Sequence, residues 1–453
     1  MNSSIYSVMS KRRLIILLAI FTAVAVIFFW QLPALLKAMP SRYVARLPEP
    51  VQALGERGDG APLLPTVAAP ADAAVLLAEI EAPTAAPTFA PEPATPTPLP
   101  VNGAADAVTA PPPPTPTPTA APTNTPLPIP ASFRLNGFVH QFQTWNNCGP
   151  ATIAMALSYY GLQLDQSETA PYLKPNPEDR NVSPYQMAAY VNEQTPYAAI
   201  DRANGDLETI KRLVANGFPT IIELGIEPPG EFKWLGWYGH YLLIVAYDDA
   251  SETFWVYDSW FGTSEVPMEN ATTEGRTLSY ADADRQWRQF NRNYITLYRP
   301  EEADLLAEII GENMDDAVMW QNAFSRVRSE LQREPENAFL WFNLGTVYNA
   351  LGRYEEAATA YDQARAIGLP WRMLWYQFGP YEAYYQTGRY EDIITLADVT
   401  LKDRPYFEEA YYYKGLALQA LGDTAAAREN FEKSTNFNPI FQPAAEALAA
   451  INK

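Results

Sequence analysis

The residues best suited to covalent chemistry in this 453-residue chain are a single cysteine, Cys148, and two histidines, His140 and His240. Apolar residues at helical spacing follow Cys148, and Pro150 suits a first helical turn, so the cysteine is predicted to stand at a helix N-terminus. Unpaired backbone N–H groups and the helix dipole stabilise a thiolate there, which makes the cysteine a reactive nucleophile. A free cysteine is more commonly a small buried side chain, but the polar residues around Cys148 favour a surface loop.

A thiolate nucleophile needs a base, and the two histidines are the candidates. His140 lies eight residues before the cysteine, in a predicted strand or loop. His240 begins the apolar run HYLLIVAY, typical of a buried strand, and a turn cluster and a second strand then lead to Asp258. If these strands form a hairpin, His240 and Asp258 are neighbours. Each residue alone is more often structural, but their combination with Cys148 favours a triad for nucleophilic acyl transfer.

Four segments carry a resemblance to a known family: CGPATIAMALSYYG, LETIKRLVANGFPTIIEL, GHYLLIVAY and VYDSW. Together they resemble papain-like cysteine peptidases of the bacteriocin-leader-processing type, peptidase family thirty-nine. The resemblance spans residues 132–299 and implies an α+β papain-like fold. It also implies Cys148 as nucleophile, His240 as general base and acid, and Asp258 as the group that orients the imidazole.

The same resemblance implies an oxyanion hole made by the Cys148 backbone N–H and a glutamine side-chain amide. Gln143, five residues before the cysteine, is favoured for this role, and Gln141, seven residues before it, is the alternative. In the family a proline often follows the aspartate. Ser259 stands there in this chain, a departure expected to have no bearing on the chemistry.

The C-terminal part of the chain repeats with a period of 34 residues. The residue pairs that recur at this spacing are Gly311 and Gly345, Ala323 and Ala357, Gly388 and Gly422, and Pro405 and Pro439. Residues 304–453 resemble tetratricopeptide repeats, which implies an all-α solenoid whose concave face binds a protein partner. A degenerate repeat is expected from Asp304, and further repeats from near Ala338, Leu374 and Glu408. Pro380 is expected to disturb the repeat that begins near Leu374.

The N-terminal part is expected to anchor the chain in a membrane. Leu14 to Leu36 carries no charge over 23 residues, enough for one transmembrane helix after a cytoplasmic segment of residues 1–13. A cleaved signal peptide is the alternative. Residues 37–131 are rich in Pro, Thr and Ala and are predicted to be a disordered, extended linker. Basic residues flank the span on both sides, so the spacer-like linker is the reason for placing the C-terminal domains outside the cytoplasm.

Composition limits the remaining possibilities. A formal net charge of −20 disfavours nucleic acid as a partner. One cysteine excludes an intramolecular disulfide, and with two histidines a zinc site is not expected, so no cofactor is predicted. The sequence thus predicts a membrane-anchored extracytoplasmic thiol peptidase, residues 132–300, followed by protein-binding repeats, with a peptide or protein as substrate. The alternatives are a non-catalytic papain-like binding module and a thiol amidase or acyl transferase.

Overall fold

The computed structural model describes residues 30–32, 35, 63–67, 73–81, 129–144, 146–176, 178, 182–227, 236–260, 271–272 and 274–451. The predicted transmembrane helix at 14–36 and most of the predicted linker at 37–131 lie outside the described residues. Within the described part of the chain, no helix has the length and hydropathy to cross a bilayer.

An antiparallel sheet forms the centre of the first folded region. Its eight described strands are β1 (Ser132–Arg134), β2 (Ala198–Arg202), β3 (Thr220–Ile226), β4 (Tyr238–Asp248), β5 (Thr253–Asp258), β6 (Ala271–Thr272), β7 (Gly275–Ser279) and β8 (Tyr294–Tyr298). They are ordered β2-β8-β3-β4-β5-β7-β6, and β1 pairs with the end of β4. The predicted hairpin is β4 and β5, in which Leu242 lies opposite Asp258.

Helices cover both faces of this sheet, which is why β3 is buried along its whole length. The helices of this region are α2 (Cys148–Ser158), α3 (Gln166–Leu173), α4 (Pro184–Gln194), α5 (Leu207–Ala215) and α6 (Tyr280–Trp287). Helices α2 and α4 pack on the face of β4 that carries Leu243 and Val245. Helices α5 and α6 pack on the opposite face, which carries Leu242 and Ile244. Alternate residues of β4 therefore enter two separate cores, which holds the strand rigidly.

The second folded region consists of paired helices. Helix α7 (Ala303–Ile310) precedes them and buries Leu306 and Ile310 in the core of the first region, not in the repeat core. The helices of the repeats are α8 (Asp316–Arg333), α9 (Ala338–Ala350), α10 (Tyr354–Ile367), α11 (Gly379–Gln386), α12 (Tyr390–Asp403), α13 (Glu408–Ala420), α14 (Thr424–Phe437) and α15 (Gln442–Ile451). The repeated glycines permit close helix pairing, since a Cβ on Gly345 would lie 2.6 Å from the Tyr361 ring and one on Gly415 2.5 Å from the Phe431 ring. The glycines of the pattern at Gly388 and Gly422 have a different role, since they lie at positive φ in the turns between helices.

The third repeat departs from the expected pattern. The segment near Leu374 is a 3-10 helix, Trp371–Trp375, and its first α-helix, α11, begins only at Gly379. Pro380 occupies the first turn of α11, where its missing N–H has no cost. The proline therefore delays the start of the helix and shortens it to eight residues instead of kinking it.

Part of the predicted linker is folded. Residues 63–67 and helix α1 (Ala74–Glu81) pack on the repeats, and Leu64, Leu76 and Ile80 are buried in the repeat core. The expectation of a linker without packed structure is wrong for these two stretches. Averaging composition over residues 61–130 hid the apolar helix VLLAEI, which contains no proline.

Candidate active site

Cys148 is the first residue of α2, as the sequence predicts. Asn146 adopts a left-handed backbone conformation just before it, with φ of 58°, and turns the chain into the helix. The Asn147 side chain does not cap the helix, so it does not use the first-turn N–H groups. The residues after Cys148 in α2 are buried, whereas Cys148 itself is half-buried. The helix is therefore anchored in the core while its thiol end reaches the surface.

His240 lies near the start of β4, and Asp258 is the last residue of β5. Both are buried, each with 2% of its surface exposed. The His240 Nε2 and the Asp258 Oδ1 are 2.7 Å apart, and the Cys148 side chain is close enough to His240 to raise its pKa. The structure therefore brings the three predicted residues together in the order thiol, imidazole, carboxylate.

The charges of this group reinforce one another. Burial by itself would raise the pKa of Asp258, but His240 and Arg276 hold it well below its usual range. Burial would likewise lower the pKa of His240, but the Asp258 carboxylate and the Cys148 side chain outweigh it and raise this pKa to about 9. At neutral pH the protonated imidazolium is therefore the favoured form of His240.

Arg276 is a site residue that was not expected from the sequence. It lies in β7, is 7% exposed, and its Nε donates to the Asp258 Oδ2 over 2.7 Å. The Trp260 backbone N–H donates to the other carboxylate oxygen over 2.8 Å. Asp258 is thus held from three directions. The sequence carries one sign of this contact, because Arg276 shares a strand face with the apolar Leu278 and is therefore predicted to be buried. A buried arginine requires an anionic or polar partner.

Gln143 and Ser259 are joined by two hydrogen bonds. The Gln143 backbone N–H donates to the Ser259 carbonyl over 2.7 Å, and the Ser259 hydroxyl donates to the Gln143 Oε1 over 2.8 Å. With Oε1 occupied as an acceptor, the Gln143 Nε2 is the atom available as a donor. Ser259, which was expected to have no bearing on the chemistry, therefore contacts the predicted oxyanion donor and orients its amide.

The other two candidates from the sequence have different contacts. The Gln141 amide donates to the Leu164 carbonyl and accepts from the Gln166 N–H, so both of its ends are used in a loop. The His140 Nε2 hydrogen-bonds the Asp258 backbone carbonyl over 2.8 Å, and its ring packs against Tyr257. His140 therefore links its segment to the end of β5, and His240 is the histidine that contacts the cysteine.

Aromatic residues surround the imidazole. The Trp260 ring lies 5.9 Å from the His240 ring and 5.6 Å from Tyr238, in edge-to-face geometry in both cases. Trp234, Trp237 and Tyr238 come just before His240 in the sequence and are residue types that often line a ligand cleft. Trp237 is instead buried and stacked on Phe290, and Trp234 lies outside the described residues. Trp260 was not singled out, and it is the tryptophan beside the imidazole.

The repeat region contacts the first region on two sides of this site. On one side the Asn176 side chain donates to the Tyr406 carbonyl over 3.1 Å. On the other, the Arg372 guanidinium lies 4.1 Å from the centre of the Tyr238 ring. Tyr238 is two residues before His240, so the repeats reach the immediate surroundings of the imidazole.

Comparisons with known proteins agree with both parts of this description. Residues 135–294 match the Peptidase_C39 like family, and residues 340–364 and 408–441 match the Tetratricopeptide repeat model. No curated protein matches the chain.

Two solved structures are similar to parts of the chain. The crystal structure of MamA is 19% identical, covers 29% of this chain and 76% of its own, and has a TM-score of 0.27. A putative C39-like peptidase from Bacillus anthracis is 16% identical, covers 37% of this chain and 96% of its own, and has a TM-score of 0.29. From the two family matches, this chain carries a peptidase C39-like domain followed by tetratricopeptide repeats.

Proposed function

We propose that the chain is a papain-like cysteine peptidase that hydrolyses peptide bonds through Cys148, His240 and Asp258. The observation that carries this proposal is the buried His240, which is hydrogen-bonded to Asp258 and lies beside a cysteine at a helix N-terminus. The Peptidase_C39 like match over residues 135–294 supports the same reaction class.

The proposed reaction has two steps, acylation of Cys148 and hydrolysis of the resulting thioester, and His240 transfers a proton in each. The Cys148 sulfur bonds to the peptide carbonyl carbon, and the carbonyl oxygen becomes an oxyanion that accepts from the Cys148 N–H and the Gln143 Nε2. The intermediate collapses as the C–N bond breaks, and the His240 imidazolium gives its proton to the leaving amine. The neutral imidazole then takes a proton from water, which attacks the thioester and releases the Cys148 thiolate.

The hydrogen bond from Ser259 makes the oxyanion donor testable. Replacing Gln143 by alanine is expected to lower kcat about a hundredfold or more, because one preorganised oxyanion donor is lost. Ser259→Ala should lower kcat about tenfold, since the amide remains but is no longer held in one orientation. Steady-state hydrolysis of a cleavable peptide measures both. Gln141→Ala is the matched control, and a loss as large as that of Gln143→Ala would assign the donor to Gln141.

The remaining parts of the proposal concern location and partners. The uncharged span at 14–36 is proposed to anchor the chain by a single pass, with the peptidase and repeats outside the cytoplasm. The repeats are proposed to bind proteins, and because they contact Tyr238 and Asn176 beside the site, they would also bound the path of a peptide substrate.

Alkylation of the thiol tests the proposal directly, because Cys148 is the only cysteine and takes all of the label. We expect iodoacetamide to modify Cys148 measurably at pH 5 to 6, since His240 is protonated there and pairs with a thiolate. His240→Ala should slow this reaction at least about tenfold, because the thiolate loses its cation. Mass spectrometry of the modified chain against time measures the rate.

His140→Gln is the control for this experiment. The glutamine retains an N–H donor for the Asp258 carbonyl, and His140 does not contact the cysteine, so the alkylation rate should stay within about threefold of the native rate. An inert Cys148 at pH 5 to 6 would favour the non-catalytic binding module. A rate unaffected by His240→Ala would likewise contradict the proposed pair.

A further inference from the structure

A short stretch of the proline-rich region contributes directly to the core of the repeats. Leu64 is 3% exposed, and Leu76 and Ile80 are each 2% exposed. Leu76 and Ile80 are four residues apart and therefore share one face of α1, whereas Val75 on another face is 73% exposed. The buried face of α1 packs against α8 and the repeat core. Helix α1 is thus bound by one specific side.

The segment before α1 is bound through its backbone. The Leu64 N–H donates to the Leu369 carbonyl over 2.9 Å, and Leu63 forms an antiparallel bridge with Pro370. The Arg365 Nε donates to the Pro65 carbonyl over 2.8 Å. These contacts resemble the addition of a short strand, in which backbone hydrogen bonds fix the register of a bound peptide.

An ion pair between Arg353 and Glu79 binds the last turn of α1 to the repeats. The Arg353 Nη1 and Nη2 lie 3.2 and 3.1 Å from the two carboxylate oxygens of Glu79, and the Tyr348 hydroxyl donates to the same carboxylate over 3.0 Å. Burial would raise the pKa of Glu79, but Arg353 and Tyr348 together lower it. A bidentate arginine is specific for a planar carboxylate, so this contact selects glutamate at this position.

The C-terminal end of α1 is also recognised. The Gln332 side chain donates to the Ile80 carbonyl over 2.6 Å, and the Arg328 guanidinium donates to the Glu79 carbonyl. Such terminal carbonyls have no partner within their own helix. A free helix of eight residues is not stable in water, so these contacts and the buried leucines must supply its stability. The segment therefore folds as it binds.

We propose that the repeats are a receptor for residues 63–67 and 73–81 of their own chain, through a docking face formed by Arg328, Gln332, Tyr348, Arg353 and Arg365. The docking face recognises an apolar pair at i and i+4, a glutamate, and the end of a short helix. This inference does not depend on the chemistry of Cys148. When this segment is docked, residues 37–62 alone connect the repeats to the predicted anchor. These 26 residues reach at most ~80 Å when they are extended. Docking therefore holds the folded body much closer to the N-terminal span than the full length of residues 37–131 would allow.

A cysteine pair tests docking in the full chain. In a Cys148→Ser background, Leu63→Cys and Pro370→Cys place two thiols on facing bridge residues, a separation that a disulfide can span. Mild oxidation should form an intrachain bond about a hundredfold faster than in the control pair Leu63→Cys and Leu421→Cys, because docking raises the effective concentration. Leu421 is an exposed residue on a different repeat. Equal rates for both pairs, or a bond formed only between two chains, would overturn docking in cis.

Two further sets of variants test which contacts are recognised. Leu76→Asp should slow formation of the bond about a hundredfold, since it places a charge in the repeat core, whereas Val75→Asp on the exposed face of the same helix should leave the rate within about twofold. Arg353→Glu should slow it about tenfold, and adding Glu79→Arg should restore the rate by reversing the pair. Equal effects of Leu76→Asp and Val75→Asp, or no rescue by the charge reversal, would contradict the proposed docking face.

Discussion

Replacing Cys148 by alanine is expected to reduce peptide hydrolysis by about five orders of magnitude. The covalent route is lost outright, because no other cysteine exists in the chain and His240 can then only act on water. Residual cleavage from oxyanion stabilisation and substrate positioning should be small by comparison. A peptide library analysed by mass spectrometry, with wild type and Cys148→Ala incubated side by side, identifies the bonds that are cut.

The fold should survive this change. Cys148 is only half-buried at the start of α2, and alanine suits a first helical turn. The thermal unfolding midpoint of Cys148→Ala should therefore stay within a few degrees of the native value. Cleavage by Cys148→Ala at the native rate would mean that the thiol is not the nucleophile. Cleaved products that carry an added amine, when an amine is supplied, would favour acyl transfer over hydrolysis.

The second large effect is expected for Asp258→Asn, which should lower kcat/KM about a thousandfold or more. Asparagine keeps the size of the side chain but removes the charge that holds His240 protonated. It also removes the carboxylate charge that the buried Arg276 guanidinium contacts, which adds a cost in stability. Hydrolysis of a cleavable peptide between pH 5 and 10 measures both the size and the pH dependence of the loss.

The pH dependence has a defined sign. In the native chain the pKa of His240 is raised to about 9, so kcat/KM should fall as pH rises through about 9, where the proton for the leaving amine is lost. In Asp258→Asn the burial that lowers the pKa of His240 remains, while the carboxylate that raises it is gone. The decrease of kcat/KM at alkaline pH should therefore occur at a lower pH in Asp258→Asn than in the native chain.

Asp248→Asn is the matched control for this variant. Asp248 ends the same strand, β4, at its opposite end, where it accepts from the Ser251 hydroxyl in an exposed turn. Its replacement should leave the pH profile unchanged. If kcat/KM of Asp258→Asn still decreased near pH 9, Asp258 would not be the group that sets the protonation of His240.

Much of the candidate site could be predicted from local patterns. The helix that starts at Cys148 follows from the spacing of its apolar residues, and the hairpin that joins His240 to Asp258 follows from two apolar runs around a turn. The repeats follow from residues that recur every 34 positions, because Gly345 faces the Tyr361 ring of the paired helix and Gly388 and Gly422 lie at positive φ in the turns between helices. These features depend on residues that are close together in the sequence, so they can be predicted without the tertiary structure.

Other features of the site depend on contacts between distant segments. Ser259 and Gln143 are 116 residues apart, and their hydrogen bond exists because the two chain segments run side by side after the sheet has formed. Arg276 reaches Asp258 only because β7 pairs with β5 in one register, in which Val256 lies opposite Arg276. A shift of one residue would turn Arg276 to the other face of the sheet. No local pattern specifies that register.

The sequence by itself identified the proposed nucleophile, its proposed base and the repeat architecture, because helical periodicity, strand pairing across a turn and a fixed repeat length are encoded locally. Only the tertiary structure decided three things: that Arg276 holds the carboxylate, that Ser259 orients Gln143, and that residues 63–67 and 73–81 dock on the repeats. Apolar patterning shows which face of a helix or strand is buried. The partner of that face is chosen by packing and electrostatic complementarity between segments far apart in the chain, as Glu79 and Arg353 demonstrate across 274 residues.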